Sequence, residues 1–368
     1  MRVLMLSKAC IVGIYQRKLE EIARLGVELL VLVPPSWKDE RGETKLERVY
    51  TEGYNLEVLP IVLNGNFHLH GYPGLGAKIR DFRPDIVHID EEPYNLAAWQ
   101  ALIHARRVGA KSLFFSWQNI VRQYPPPFFW GEHWVLNSVD YALAGTDSAA
   151  SVWREKGYTG RMAVVPQFGV DPDLFRPRDS ESAQRPFTIG YIGRLVEEKG
   201  IHILLEAASH LIGDWRLRVV GSGPEKDRLH TLAEKLIIAE KIDWVEWVAS
   251  TEMPAQYHQI DVLVVPSLTR PNWKEQFGRV LIEAMASGVP IIGSDSGAIP
   301  DVIGDAGLIT SEGNIIALTE ALCKLQQDIA LRTTLAERGR ARVIAHFTHA
   351  QVAADTVRVY RELTAPDP

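Results

Sequence analysis

The strongest constraint on the fold is an alternation that recurs along the chain. Short, almost wholly apolar runs are separated by segments with helical spacing. Met1–Leu6 is such a run; a loop holding Gly13 follows, then a helical stretch at Gln16–Arg24, then the apolar Glu28–Val33. Asp85–Ile89 (DIVHI), Ser112–Ser116 (SLFFS), Tyr141–Ala144 and Met162–Val165 continue the series, with a helix expected over Leu96–Arg107. A strand that is apolar at successive positions, rather than at every second one, is buried on both faces. Strands of this kind alternating with helices predict a parallel sheet sandwiched between helical layers, the α/β class.

The pattern breaks once. Phe175–Pro186 (FRPRDSESAQRP) is polar, charged and bounded by proline, as a linker would be. Beyond it the alternation restarts: strands at Phe187–Ile192, Arg216–Val220, Asp261–Val265 and Ile291–Gly293, with a helix over His202–Leu211. A length of 368 residues favours two domains over one. The expected division is 1–178 and 186–348, two similar doubly wound units. A ligand is then expected between them, at the C-terminal ends of the strands.

Composition excludes several classes of function. The net charge of −6 argues against nucleic acid as the main partner, since phosphate binding calls for a basic surplus. Two distant cysteines, Cys10 and Cys323, form neither a disulfide framework nor a metal-ligand spacing and fit a reducing compartment. MRVLMLSKACIVG reads as a first strand and not as a secretory signal. No apolar run approaches the roughly 20 residues needed to span a bilayer. A cytoplasmic protein is expected, with contact to one membrane face left open.

Two stretches carry chemistry. In EQFGRVLIEAMASGVP (Glu275–Pro290), Gly288 and Pro290 stop a helix that counts back to about Phe277. Glu275 then lies just before a helix N-terminus, whose free amides suit a phosphate. Glu283 is eight residues on, roughly 12 Å along the axis. That is about the span from the hexose to the ribose of an extended nucleotide sugar. The plainer alternative is that Glu275 caps the helix and Glu283 pairs with a surface cation. The second stretch, IGYIGRLVEEKGIHILLEA (Ile189–Ala207), is a strand, a turn at Gly193, a charged loop and a helix. Arg194 and Lys199 sit in that loop, where two cations can hold a diphosphate and absorb the charge it gains on leaving. A solvated loop paired with Glu197 and Glu198 is the alternative.

Together these stretches resemble the retaining glycosyltransferases of family 4, which have the GT-B fold of two Rossmann-like domains. Glu275-x7-Glu283 is similar to the family's paired-glutamate motif. Gly193, Arg194, Lys199 and Gly200 match its GR-L-x-x-EKG loop. Pro266–Ser267, the EAMA-x-G-x-P run and VVPQFGVDPDLFRP before the linker are similar too. The resemblance implies that the C-terminal domain binds a nucleotide-diphospho-sugar. Arg194 and Lys199 would hold the diphosphate, Glu275 the sugar hydroxyls and Glu283 the ribose. Backbone amides of Gln276, Phe277 and Gly278 would complete the cradle. It implies transfer with retention, no metal, no protein nucleophile, and a C-terminal helix, 349–368, that returns to the first domain. Asp171-Pro172-Asp173 looks like a metal-binding D-x-D signature, but its context matches the segment before the linker.

The N-terminal half departs from the family pattern. Members often carry a glycine pair in the first loop; KACIVGIY supplies Gly13 alone, expected to approach the diphosphate or acceptor. Many have a histidine after the strand SLFFS; here Gln118 stands there and keeps only a neutral hydrogen bond to the sugar. His88 matches a common family position or is a core histidine. Acceptor sites lie on this domain, and HIDEEPYN places Glu91, Glu92 and Tyr94 as candidate contacts to acceptor hydroxyls. Arg122–Val135 (RQYPPPFFWGEHWV) is too rich in proline for a helix throughout. It packs on the body, lines an acceptor site or dips into a membrane interface. A glycan, a lipid-linked sugar or a small molecule could serve as acceptor. Two rival readings stay open: another enzyme of this fold, such as a sugar phosphorylase or nucleotide-sugar epimerase, and a non-catalytic nucleotide-sugar-binding protein.

Overall fold

A computed structural model describes residues 1–39, 42–178, 185–246, 248–249 and 252–365. The expected linker therefore lies partly outside the described residues. The chain divides into two compact units, Met1–Gly169 with His349–Pro368, and Val170–Thr348. The division places the nine residues 170–178 in the second unit, where the expected boundary kept them in the first, and the last helix in the first unit.

In the first unit the strands are β1 Arg2–Ser7, β2 Glu28–Val33, β3 Ser36–Asp39, β4 Gly42–Lys45, β5 Asn55–Val58, β6 Ile86–Asp90, β7 Lys111–Ser116, β8 Tyr141–Ala144 and β9 Arg161–Val164. Its helices are α1 Arg17–Arg24, α2 Leu75–Phe82, α3 Leu96–Val108, α4 Phe128–Leu136 and α5 Asp147–Glu155. Among the described residues, seven strands form a parallel sheet in the order β5-β2-β1-β6-β7-β8-β9, and β3 and β4 pair separately as an antiparallel hairpin. Successive residues of the inner strands feed opposite cores. Val3, Met5 and Val31 pack on one face with α1; Leu4, Leu6 and Leu32 pack on the other with α2 and α3. The run of apolar residues in β1 thus has the two-sided burial its sequence calls for.

The second unit repeats the plan. Its strands are β10 Phe187–Ile192, β11 Trp215–Val220, β12 Ile242–Val245, β13 Val262–Val265, β14 Ile291–Ser294 and β15 Gly307–Thr310, in the order β12-β11-β10-β13-β14-β15. Its helices are α6 Ile201–Ser209, α7 Lys226–Lys235, α8 Met253–Tyr257, α9 Arg279–Ala286, α10 Ile299–Ile303, α11 Ile315–Gln327 and α12 Ile329–His346. The last helix, α13 His349–Thr364, packs on α1 and buries Val352, Val357, Val359, Tyr360 and Leu363 in the core of the first unit.

In each sheet the strand order reverses once, between β1 and β6 in the first unit and between β10 and β13 in the second. Loops leaving neighbouring strands on opposite faces open a hollow at that point. The loops after β10 and β13 hold Arg194, Lys199 and Glu275; those after β1 and β6 hold Lys8, Glu91 and Glu92.

Candidate active site

The site in the second unit is built by close backbone contact between the loops after β10 and β13. Gly200 ends the first loop with φ +67°, and a Cβ there would lie 2.0 Å from the Pro266 carbonyl oxygen. Only glycine permits both the backbone angle and the approach. This fit brings Lys199, one residue before, against the loop that carries Glu275. Lys199 Nζ donates to Glu275 Oε2 at 2.6 Å, and Ser267 Oγ donates to the same oxygen at 3.0 Å. Both side chains are mostly buried, with 24% of Lys199 and 10% of Glu275 exposed. The ammonium also lies 5.0 Å from the centre of the Trp273 ring. The Glu275 backbone is fixed from the far side by the amide of Ala298, 3.1 Å from its carbonyl oxygen.

Arg194 stands on the same loop as Lys199. Its carbonyl accepts from Tyr191 Oη at 2.7 Å, which pins the backbone, while its side chain is exposed. Among the described residues its guanidinium has no ion pair or hydrogen bond. The Gly193 amide is already used, donating to the Val220 carbonyl at 2.9 Å. Beyond β13, Thr269 Oγ1 touches Ser296 Oγ at 3.0 Å and donates to Glu312, whose own amide donates to Asp295 at 2.8 Å. This polar wall was not legible in the sequence, because it joins three loops far apart in the chain.

Two expectations for the paired-glutamate segment are corrected. The helix starts at Arg279 and not near Phe277, because Gly278 takes φ +73°, outside the helical region. Gln276 is exposed, Phe277 is buried edge-on against Phe347, and Gly278 caps the helix. Glu283 lies one turn in and is almost fully buried. Tyr257 Oη donates to its Oε2 at 2.7 Å and Arg279 lies 2.8 Å from its Oε1. Burial raises the carboxyl's pKa, opposed by Arg279 and Tyr257. Its described contacts tie it to α8 and α9 and not to the Lys199–Glu275 pair. It has the cation partner of the plainer reading without the exposure.

The first unit has its own polar hollow, at the β1/β6 reversal. Ser7 and Asp90 are opposite in register. Asp90 accepts from Ser7 Oγ, and from Gln167 Nε2 at 2.7 Å. Glu91 is held by Lys8, by Asn95 at 3.0 Å and by Tyr72 at 3.3 Å, with His70 Nε2 at 3.4 Å. Burial alone would raise its pKa, but Lys8 and His70 bring it down to about 2. Glu92 accepts from Ser116 Oγ at 2.6 Å and from the Trp117 amide at 3.0 Å. Burial outweighs these bonds and pushes it up to about 7. Asp90, Glu91 and Glu92 line one cavity of about 480 Å³ with Lys8, Trp37 and Trp117.

Other expectations for this unit change. Glu91 is saturated by its own neighbours. Tyr94 does not line the cavity; it packs 4.5 Å from Tyr124 and 5.2 Å from His68, ring to ring. The Gly13 amide does not face open space, because it donates to Glu47 Oε2 at 2.7 Å, and Val49 would crowd any added Cβ. Gln118 is buried, with Nε2 donating to the Ile120 carbonyl at 3.0 Å and no partner for Oε1 among the described residues. His88 is a core residue: its Nδ1 lies 2.6 Å from Tyr360 Oη, and burial lowers its pKa well below normal. Arg122–Val135 is, as expected, not helical throughout: α4 begins only at Phe128, and Phe129 and Trp130 are exposed. Asp171 Oδ1 accepts from the amides of Asp173 and Leu174, a local turn. Among the described residues no group of three or more His, Cys, Asp or Glu is arranged to hold a metal ion. None of the described helices is long and apolar enough to cross a membrane.

Comparison with known proteins decides the family. Residues 175–342 match the family described as glycosyl transferases group 1, and residues 14–167 match the glycosyl transferase 4-like domain. The D-inositol 3-phosphate glycosyltransferase of Stackebrandtia nassauensis is 30% identical over 310 residues, covering 75% of this chain and 68% of that one. The chain belongs to the family 4-type glycosyltransferases. A D-inositol 3-phosphate glycosyltransferase of Streptomyces bingchenggensis is 29% identical over 84% of this glycosyltransferase and 73% of its own length. The putative colanic acid biosynthesis glycosyltransferase WcaL of Escherichia coli is 28% identical over 58% of this chain and 53% of its own. Among solved structures, a glycosyltransferase from Rickettsia africae aligns over 100% of this chain and 99% of its own at 20% identity, with TM-score 0.77. Anabaena HepE in complex with UDP covers 98% of this chain and 100% of its own at 16% identity, with TM-score 0.74. The fold of this glycosyltransferase is accordingly GT-B.

Proposed function

We propose that this glycosyltransferase moves a sugar from a nucleotide-diphospho-sugar to an acceptor hydroxyl, with retention of anomeric configuration and without a metal. The observation that carries the reading is the Lys199–Glu275 pair at the strand-order reversal, 2.6 Å apart, with Arg194, whose side chain has no partner among the described residues, on the same loop. Arg194 and Lys199 supply two positive groups for a diphosphate, and Glu275, already oriented by Ser267, supplies a carboxylate for sugar hydroxyls. The bond from the anomeric carbon to the diphosphate oxygen breaks, and its electron pair stays on the diphosphate. The acceptor oxygen bonds to the same face of that carbon, and its proton passes to the departing diphosphate. Two cations facing the leaving group do the electrostatic work that a metal does elsewhere. Glu283 is assigned to the ribose diol; it needs Arg279 to yield, or a second bond to an oxygen that already accepts one.

Names of relatives support the class of donor: HepE is solved with UDP and with UDP-glucose. The acceptor is assigned to the first unit, through the cavity that Glu92 lines. The exposed Phe129 and Trp130 at the start of α4 favour peripheral contact with a membrane interface, tested by vesicle co-sedimentation of the wild type against a Phe129→Ser/Trp130→Ser variant. The central test is nucleotide release from UDP-, GDP- and ADP-sugars, with and without acceptors, in the presence of a chelator. Acceptor-dependent release that survives chelation, with a product of unchanged anomeric configuration by NMR, is expected. Release that requires inorganic phosphate would identify a phosphorylase instead. Binding without turnover would identify a binding protein.

A further inference from the structure

We infer that the cavity at the β1/β6 reversal takes an uncharged, saccharide-like acceptor and excludes phosphorylated ones. This rests on the proposed transfer reaction and adds the chemical class of its second substrate.

The two sides of the cavity differ in kind. One is aromatic. Trp37 and Phe67 meet edge to face at 5.2 Å, and Trp117 is held by its indole N–H on Gln167 at 2.7 Å. The other is acidic, formed by Asp90, Glu91 and Glu92. A sugar ring has the matching pair of surfaces, an apolar C–H face and a rim of hydroxyl donors. Asp90 and Glu92 each accept two hydrogen bonds from the protein, one on each oxygen. A carboxylate offers about four lone-pair sites, so each keeps capacity for a hydroxyl.

The charge balance excludes a phosphate. Among the described lining residues Lys8 is the one cation, and it is bound to Glu91 while it covers the Trp37 ring at 5.5 Å. Lys18 acts on Asp90 electrostatically but is buried and does not line the cavity. A phosphate entering here would lose its hydration, find no unpaired cation among those residues, and face carboxylates. Repulsion of this sort is a common source of specificity. The relatives named for D-inositol 3-phosphate act on a phosphorylated acceptor by name. This chain is therefore expected to differ from them in acceptor.

The experiment uses the full chain and the donor that best raises its melting temperature. Nucleotide release is measured with matched acceptors: methyl hexosides, disaccharides and inositol, each with its monophosphate. The neutral member is expected to be used at least about a hundredfold better in kcat/KM. Phe67→Ala, at a half-exposed side chain that does not threaten folding, is expected to raise the neutral acceptor's KM about fivefold without moving the Kd of the nucleotide sugar. Equal or better use of the phosphorylated members overturns the inference. So does turnover of no neutral member by an enzyme that still hydrolyses the donor slowly, or an unchanged KM in Phe67→Ala. Failure to bind any nucleotide sugar would instead overturn the donor reading.

Discussion

Lys199 Nζ and Ser267 Oγ converge on one oxygen of Glu275, at 2.6 and 3.0 Å. The carboxylate is thereby oriented before any ligand arrives, and the ammonium is held where a diphosphate can share it. Because the two groups act as a unit, their effects will not add. Lys199→Ala and Glu275→Gln are each expected to lower kcat/KM for transfer by about 10²-fold or more, and the double variant by little more than the worse single one. Steady-state kinetics of the four proteins tests this; additive losses would mean that the contact has no part in turnover.

Gly297 offers a way to move Glu275 without changing it. A Cβ at Gly297, where φ is +55°, would lie 2.1 Å from the Glu275 carbonyl oxygen. Gly297→Ala must displace that backbone, and a displacement of about 1 Å at a reacting centre can cost about 10²-fold in rate. The expected result is a large fall in kcat with the two units still folded by circular dichroism. Full activity would show that Glu275 is not positioned from this side.

Arg194 makes the opposite prediction for stability. Its side chain is exposed and without a described partner, so Arg194→Ala should leave the melting temperature where it is. Nucleotide-sugar affinity should fall by about tenfold or more, and Arg194→Lys should restore part of it, since a point charge replaces a planar fork. Isothermal titration with the preferred nucleotide sugar measures both. Wild-type affinity in Arg194→Ala would remove this residue from the donor site.

His88 and Tyr360 tie the last helix to the sheet. Tyr360 Oη lies 2.6 Å from His88 Nδ1, and the other ring nitrogen, Nε2, has no partner among the described residues. Tyr360→Phe leaves both nitrogens unsatisfied in a buried site and is expected to destabilise by about 1–3 kcal/mol. Adding His88→Leu should recover most of that loss, because the orphaned groups disappear together. Differential scanning calorimetry of the two variants distinguishes this from a general loss of packing.

Much of this was written in local sequence. The apolar runs of β1, β2, β8 and β10 and the spacing of α3 and α13 carry their own signal, because burial on both faces or on one stripe fixes composition residue by residue. The motif around Arg194, Lys199 and Glu275 was legible because its residue types and spacing resemble a family pattern position by position. What escaped was of two kinds. The β3–β4 hairpin is short and polar, so its pairing leaves little periodicity to read. The partners of Glu283, Glu91 and Gly13 were illegible because Tyr257, His70 and Glu47 reach them only through the tertiary fold. A motif tells which residue stands at a position; it does not tell which neighbours use up its hydrogen bonds.

Glu92 makes stability depend on pH with a definite sign. Burial pushes its carboxyl from 4.5 up to about 7, opposed by Ser116, the Trp117 amide and Lys8 and aided by Glu91. Between those values the folded protein binds more protons at this site than the unfolded chain does, so stability falls as pH rises. The contribution is full below about pH 4.5 and gone above about pH 7, up to about 3 kcal/mol in size. Glu92→Gln holds the neutral form at every pH. It keeps an acceptor for the Trp117 amide, and the Ser116 hydroxyl can turn to accept from the new amide. The variant should therefore melt above wild type at pH 8 and close to it at pH 4.5. Thermal scans at the two pH values decide the matter: a gap of the same size at both would show that Glu92 does not carry the titration.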